Sequence, residues 1–539
     1  MYPAQTSFIP VTVALVRFAA ENGFSGNYPY WYLGTTPFKY LTGPVVLYVL
    51  LGLKSIFGGL SYFDLALDLV LFSGLISAVG WGVFVEYLSG NRKLAILTGF
   101  LVLLAPWHWV FSLGLGETSA VLAGAFTPWV LFAYAISVRH NEKTFGHSLL
   151  RKQDFIFGLT QASARQYLVR GSNFVFGLAS SSFSLWLPSL AFAFLLLTNT
   201  VASIPVILGM VILSISNFKF IISKLKIALW VLLLGWFFTL WWYSPNYWLN
   251  LLFAPSIGGK SALGAFGSIF GFLRLLAPII LAVGVVSFKF GKWNKFEKFA
   301  AVWLFTFVTF SLFRMLSDID FWMDWTAWMG EVEVGIALIL AGKLAQIPST
   351  KHQITNNIQN LKIKIQNLSI FRFRIWDLFG IWNLVIVILL IGGWSLAWQK
   401  RDFWLPRRSI ENTVEFKIAR WLEKNVRCQM SDVRCQTVFL SGSTAFWLNS
   451  LVDVTQVRGG VDQASVDSAW RKVVWEVREG ASAQRSYDAL KGLDVSYLVV
   501  HGAGSKEYYH DFSNVEKYKE NNFFEKVYDA DGDVIYKIN

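Results

Sequence analysis

The stretch "LALDLVLFSGLISAVGWGVFVEYL" (Leu65–Leu88) decides the fold. Its only charges are Asp68 and Glu86, and it exceeds the about 20 apolar residues that cross a bilayer core. Nine further apolar runs follow, near Leu94–Phe111, Ser119–Val138, Ser184–Thr200, Val201–Ser216, Ile227–Tyr243, Phe266–Val286, Lys298–Phe313, Val332–Ile347 and Leu378–Trp398. The whole chain of 539 residues is 55% hydrophobic and only 15% charged, with a positive mean hydropathy. A soluble domain carries roughly a quarter charged residues, so the composition is that of a polytopic α-helical membrane protein. Ten spans would leave both termini on one side.

The basic residues sit in short loops between the apolar runs: Arg92 and Lys93, then Arg139 to Lys152, Lys219 to Lys226, Lys289 to Lys298, and Lys351 to Arg374. With ten spans these loops share one face, which the positive-inside rule makes cytoplasmic. The net charge of +13 is thereby accounted for without nucleic acid. Both termini are expected outside, in a cell membrane. No cleavable leader is read from the start, since Arg17 interrupts the apolar stretch.

Residues 1–64 form a first outer loop by this reading. Phe8, Val11, Leu15 and Phe18 recur at helical spacing with Arg17 and Glu21 on other faces, predicting an interfacial amphipathic helix over Thr6–Asn22. Leu41–Ile56 is predicted to lie in or dip into the outer leaflet. Between them "SGNYPYWYLGTTPFKYLTGP" (Ser25–Pro44) should connect the two helices and roof a cavity. Residues 65–400 are the bundle. From about Arg401 charges become frequent, and "TVFLSG", "VSYLVV" and "DVIYKI" read as strands, while Val466, Trp470, Val473 and Val477 mark a helix. Residues 401–539 are therefore expected to be an extracytoplasmic α/β domain.

This plan resembles the GT-C class of integral-membrane glycosyltransferases. More narrowly, "NYPYWYLGTTPFKYLTGP", "LSGNRKLAILTGFLVLLAPWH", "GLGETSAVLAGAFTPWVLF" and "DFWMDWTAWMGEVEVGIALIL" look like bacterial membrane proteins labelled "6-pyruvoyl-tetrahydropterin synthase related". The tail, with "VFLSGSTAFWLN", "VRGGVDQAS" and "VSYLVVHGAG", is similar to that group's external domain. The label carries no pterin chemistry here, because the six histidines are scattered without metal-ligand spacing. The resemblance implies transfer of a sugar from a polyprenyl-phosphate donor to an envelope glycan or glycoprotein acceptor at the outer membrane surface. It also implies a first span followed by an acid early in the first outer loop. Residues 1–44 hold one acid, Glu21, so either a longer reading frame supplies both or the chain is a degenerate copy.

Such a transferase needs a carboxylate to deprotonate the acceptor and cations for the lipid phosphate, and it often uses a divalent ion. Glu117 opens the third span, where it is either a site acid or a helix-terminus carboxylate. Asp320 and Asp324 lie in the densest acidic group, Asp318–Glu333, interleaved with Trp325 and its neighbours. Arg274 lies inside the seventh span and could hold a phosphate or snorkel; Lys260 stands beside two glycines. Lys39 could meet a lipid phosphate. Tyr30 and Trp31 could flank a sugar or anchor in the interface. Asp462, in "RGGVDQAS", could contact an acceptor or belong to a structural loop. Cys428 and Cys435 are far enough outside to allow a disulfide. A flippase would also need a charged cavity, and a non-catalytic envelope assembly protein would need none of these groups.

Overall fold

The computed structural model describes residues 1–34, 36–41, 43–157, 185–215, 221–254, 293–316, 325–346, 392–426, 436–460, 465, 469–519 and 522–539. Helices dominate the described part of residues 1–400, and a mixed α/β unit follows. The Tyr62–Ser89 helix opens with a capping box: Asp64 N donates to Ser61 Oγ at 3.2 Å, and Ser61 N donates to Asp64 Oδ2 at 3.2 Å. Its 28 residues extend about 42 Å, more than the hydrocarbon thickness. Leu71, Phe72, Leu75 and Val79 form an exposed apolar stripe, as a lipid-facing side would.

Two described helices, Tyr62–Ser89 and Thr118–His140, are long and apolar enough to cross a membrane. A third candidate is Arg92–Leu104 with Pro106–Leu115, bent by 46° where Pro106 removes a backbone donor. The expected ten spans are therefore not matched one for one. Leu185–Thr198 and Ser203–Ile215 are apolar but short, separated by a turn that Asn199 caps through Val201 N at 2.9 Å. Ile221–Phe237, Lys295–Leu316 and Trp325–Ala345 occupy further expected segments. Phe266–Val286 and most of Leu378–Trp398 fall outside the described residues.

Several helix ends that carry basic residues pack in pairs. Phe84 packs on Phe299 with 5.2 Å between ring centroids, and Gln346 reaches Glu297 at 3.3 Å. Tyr134 donates to the Lys224 carbonyl at 3.0 Å, and Arg139 lies over Tyr87. These contacts join helix ends that carry Arg139, Lys224, Lys295 and Lys343.

The Ile9–Asn22 helix departs from expectation. A helix lying in an interface exposes one side, yet Ile9, Val11, Val13, Ala14, Leu15 and Val16 are all at most 2% exposed. It is clamped between the Gly442–Leu451 helix of the α/β unit and the Pro44–Ile56 and Tyr62–Ser89 helices. Proximity to two layers, rather than one, buries Ile9–Val16, while Arg17 and Phe18 stay part-exposed and Ala20–Asn22 exposed.

In residues 401–539 the sheet order is β3-β4-β6-β5, with β3 (Thr437–Phe439) parallel to β4 (Val495–His501). β6 (Asp533–Ile538) is antiparallel to both β4 and β5 (Phe524–Ala530). The three expected strands are present. β5 has no apolar run to mark it, because "FEKVYDA" carries three charges on a largely exposed edge. Its hairpin closes through Asp531 (φ 54°) and Gly532 (φ 85°), the paired left-handed residues of a primed turn. One continuous apolar core runs from Ile9 and Trp31 through Phe63 to Trp470, Leu498 and Ile538. The first loop and the α/β unit are therefore one folded body.

Candidate functional site

The seam between these parts is built by Ser25–Pro44. A two-residue ladder, β1 (Asn27–Tyr28) with β2 (Thr36–Pro37), closes over a turn with Tyr32, Leu33 and Gly34 at positive φ. Tyr30 then joins the α/β unit as a strand would: Gln456 N donates to Tyr30 O at 2.8 Å, and Leu33 N donates to Gln456 O at 3.3 Å. Tyr28, Trp31, Tyr32 and Phe38 are fully buried. Trp31 Nε1 donates to Asn449 Oδ1 at 3.0 Å, and Tyr32 packs on Trp470 at 5.0 Å. A Cβ on Gly459 would lie 2.6 Å from Trp31 Cγ, and one on Gly460 2.3 Å from Val11 Cγ1. These glycines, expected only to make a turn, permit close approach of two layers.

Beside the seam lies a cleft of about 340 Å³. Val13, Arg17, Ala20 and Glu21 line it from one helix face, Lys54 from the next helix, and Tyr62 and Ser450 from either side. Arg17 donates to the Ser450 carbonyl at 2.9 Å and stands 3.8 Å from Asp453. Burial lifts the Asp453 carboxyl above its ordinary range despite the pull of Arg17. Lys54 Nζ donates to the carbonyls of Gly58 and Leu60 at 2.8 and 2.6 Å, which leaves one ammonium proton for another acceptor. Two cations and one carboxylate thus share a cavity between the first-loop helices and the α/β unit.

A second polar node lies under the end of the first loop. Ser119 Oγ donates to Glu117 Oε1 at 2.6 Å and accepts from Asn199 Nδ2 at 3.1 Å. Gly43 packs over it: a Cβ there would sit 3.1 Å from Ser119 Cβ. Gly43 N also donates to Tyr243 Oη at 3.4 Å, and Tyr243 in turn donates to Leu196 O at 3.2 Å. Nearby, Glu333 accepts from Trp107 N and His108 N, both at 3.0 Å, and so caps the Pro106–Val110 helix. His108 Nε2 and Glu331 Oε2 are buried without a partner among the described residues.

The α/β unit holds a third network, around "SGS" at 441–443. Asp511 accepts from Ser441 Oγ at 2.5 Å and Gly442 N at 3.0 Å, with Arg458 and Arg478 at 3.4 and 3.6 Å. Burial alone would raise the Asp511 carboxyl. The two guanidiniums and the two donated hydrogen bonds outweigh it and hold Asp511 below the ordinary range. His501 sits between Asp533 (2.7 Å) and Thr444 (3.1 Å), an arrangement resembling a nucleophile–base–acid chain. All three are at most 4% exposed, so no substrate reaches them and the set is structural.

Of the expected site residues, Glu117 is in the second node and Lys39 is exposed beside Tyr40, at 5.6 Å from its ring. Trp31 offers no surface to a sugar, and neither ring anchors freely in an interface, since Tyr30 is half-buried in the seam. Asp320, Asp324, Lys260, Arg274 and Asp462 lie outside the described residues, as do Cys428, Cys435 and the side chain of Trp325. The described residues include no group of three His, Cys, Asp or Glu that could hold a metal. The cleft residues Arg17, Glu21 and Lys54 were not expected as a set. Only the i, i+4 spacing of Arg17 and Glu21 hinted at it, and Lys54 is distant in sequence.

No family model matches the chain, and no curated protein matches it. Among solved structures it is similar to the archaeal oligosaccharyltransferase AglB from Archaeoglobus fulgidus, in complex with an inhibitory peptide and a dolichol-phosphate. The TM-score is 0.48 at 12% identity over 91% of this chain and 65% of that one. ArnT from Cupriavidus metallidurans gives 0.44 at 12%, covering 99% and 93%. The arabinofuranosyltransferase AftD from Mycobacteria gives 0.47 at 15%, covering 100% and 38%. The chain spans slightly less than two thirds of the length of the archaeal enzyme. These scores assign neither a family nor an activity, and the pterin-synthase-related label finds no counterpart among the matches.

Proposed function

We propose that the chain is a membrane-embedded glycosyltransferase of GT-C type, with ten spans and both termini outside. It moves a sugar from a polyprenyl-phosphate donor to a cell-envelope glycan or glycoprotein. The observation that carries this reading is the seam cleft, where Arg17, Lys54 and Glu21 line one cavity of about 340 Å³. That volume is within the roughly 300–1,000 Å³ of small-molecule sites.

The chemistry requires an acceptor hydroxyl to attack the anomeric carbon as the bond to the phosphate oxygen breaks. The proton goes to a carboxylate and the electron pair to the phosphate, whose charge nearby cations offset. Glu21 or Glu117 is the described candidate for the proton, with Asp320 and Asp324 as further candidates for base or metal ligand. Lys54 and Arg17 suit the phosphate, joined by Lys39, Lys260 and Arg274. Asp462 and Trp325 remain candidates for the acceptor. A divalent cation would have to be held by residues beyond those described.

One observation favours a non-catalytic assembly protein instead. Glu117 and Glu333 both spend oxygens on internal hydrogen bonds, as purely structural acids do. Purified protein in lipid nanodiscs decides between the readings. Binding of a polyprenyl-phosphate sugar, with turnover lost in Glu21→Gln, Asp320→Asn or Asp324→Asn and donor binding weakened in Arg274→Gln, supports the transferase. Absence of donor binding, with every acid dispensable in cells, would leave the assembly reading.

A further inference from the structure

Ser443 Oγ lies 2.5 Å from Glu415 Oε1 and 2.8 Å from Glu507 Oε1. Both carboxyls are buried, at 3% and 1% exposure. A hydroxyl has one proton to donate. With both acids ionised, one of these two contacts would set lone pairs against lone pairs between buried charges. The arrangement is satisfied when one acid carries a proton and donates it to Ser443 Oγ, while Ser443 donates to the other.

Which acid holds the proton follows from the remaining donors. Glu507 receives Ser443 N and His510 N, both at 2.7 Å, at the start of the Gly442–Leu451 helix, where negative charge is favoured. Glu415 is the poorer anion. Burial raises its carboxyl, the hydrogen bonds of Ser443, its own backbone and the Gln5 side chain only partly offset this, and Glu507 raises it further. Around Glu415 the charged neighbour is Glu507, from the loop after β4. Asp511 in that loop is neutralised by Arg458 and Arg478, and among the described residues the helix and N-terminal segment offer Glu415 the hydrogen bonds of Ser443 and Gln5.

The site is at the domain seam. Gln5 also donates to Lys506 O at 2.9 Å, Trp447 Nε1 donates to Gln5 O at 3.1 Å, and Tyr509 Oη donates to Thr6 O at 3.1 Å. We propose that Glu415, Ser443 and Glu507 share a single proton, and that its loss loosens the grip of the α/β unit on residues 5–6. This device is independent of any transferase activity.

The sign is fixed by linkage. A carboxyl raised in the native state stabilises most at low pH, and that stabilisation falls as pH rises from the ordinary glutamate range to the native value. Within that window the opening equilibrium should grow about tenfold per pH unit for one proton. Hydrogen exchange on the full chain in nanodiscs should show protection factors at residues 443–445 and 5–7 falling with pH. Glu415→Gln, which supplies a permanent donor, should flatten that fall. Infrared spectra of wild type should contain a protonated-carboxyl stretch absent from Glu415→Gln. Parallel pH profiles for the two proteins, or an unchanged carboxyl band, would overturn the proposal. If Glu415→Gln folds poorly, the wild-type band and its disappearance with rising pH still decide it.

Discussion

Trp31 Nε1 donates to Asn449 Oδ1 at 3.0 Å, across 418 residues of sequence. The same oxygen accepts from Gln456 Nε2 at 2.7 Å, while Asn449 Nδ2 donates to Val454 O at 2.8 Å. One buried amide therefore ties the first loop to the inner face of the α/β unit. Trp31→Phe should cost about 0.5–1.5 kcal/mol for the lost hydrogen bond, since Gln456 still donates to the acceptor, and Trp31→Ala about 3–5 kcal/mol for the lost ring. Protease resistance of residues 25–44 in detergent reads this directly. Equal resistance of all three proteins would show the seam to be inert.

Gly442 has φ +64°, and a Cβ there would lie 2.3 Å from Glu507 Oε1. Gly442→Ala should destabilise the α/β unit by more than about 1 kcal/mol, since it combines left-handed strain with a clash. The expected readout is a lower thermal midpoint by tryptophan fluorescence, whereas Gly52→Ala, with open space around it, should leave that midpoint unchanged.

Asp511 gives the opposite pH sign to Glu415. Because its native carboxyl is held low, its stabilisation is complete above the ordinary aspartate value of about 3.9 and is lost as pH falls through the native one. Asp511→Asn should remove that acid sensitivity. At neutral pH it should cost about 2–3 kcal/mol, less than for a fully buried pair because Arg458 and Arg478 keep some solvent contact. Denaturant titrations at two pH values measure both effects.

In the cleft, Glu21→Gln and Lys54→Met separate roles. If the cavity takes a donor phosphate and an acceptor hydroxyl, Lys54→Met should weaken donor binding several-fold and Glu21→Gln should reduce turnover at unchanged donor affinity. Glu117→Gln keeps a partner for Ser119. It is expected to leave protease resistance intact and to lower turnover only if Glu117 acts chemically.

Topology is tested by cysteine accessibility in a background lacking Cys428 and Cys435. Lys519→Cys, exposed in the α/β unit, should react with an impermeant reagent in intact cells, and Arg92→Cys, exposed at the basic loop after the Tyr62–Ser89 helix, should not. Labelling of Arg92→Cys would invert the orientation and move the cleft to the other side.

The sequence by itself determined where the helices run. Apolar composition and its interruption by basic loops are local properties, so Leu65–Leu88 and Ser119–Val138 read as long helices without any knowledge of neighbours. β3, β4 and β6 were legible for the same reason, each being a short apolar run between turn residues. Tertiary structure decided the rest. Whether Trp31 meets sugar, lipid or protein depends on Asn449, Gly459 and Gly460, and no periodicity in residues 25–44 encodes those partners. Helix Ile9–Asn22 has an amphipathic pattern, but residues 9–16 are buried all round because the α/β unit packs against it, and only Arg17, Phe18 and the last turn reach solvent. Arg17, Glu21 and Lys54 become a set only when two helices close on one cavity, and Glu415 meets Glu507 only when β3 delivers Ser443 between them. Pairings across hundreds of residues are set by the packing of whole layers, and a one-dimensional pattern records only the propensity of each layer to form.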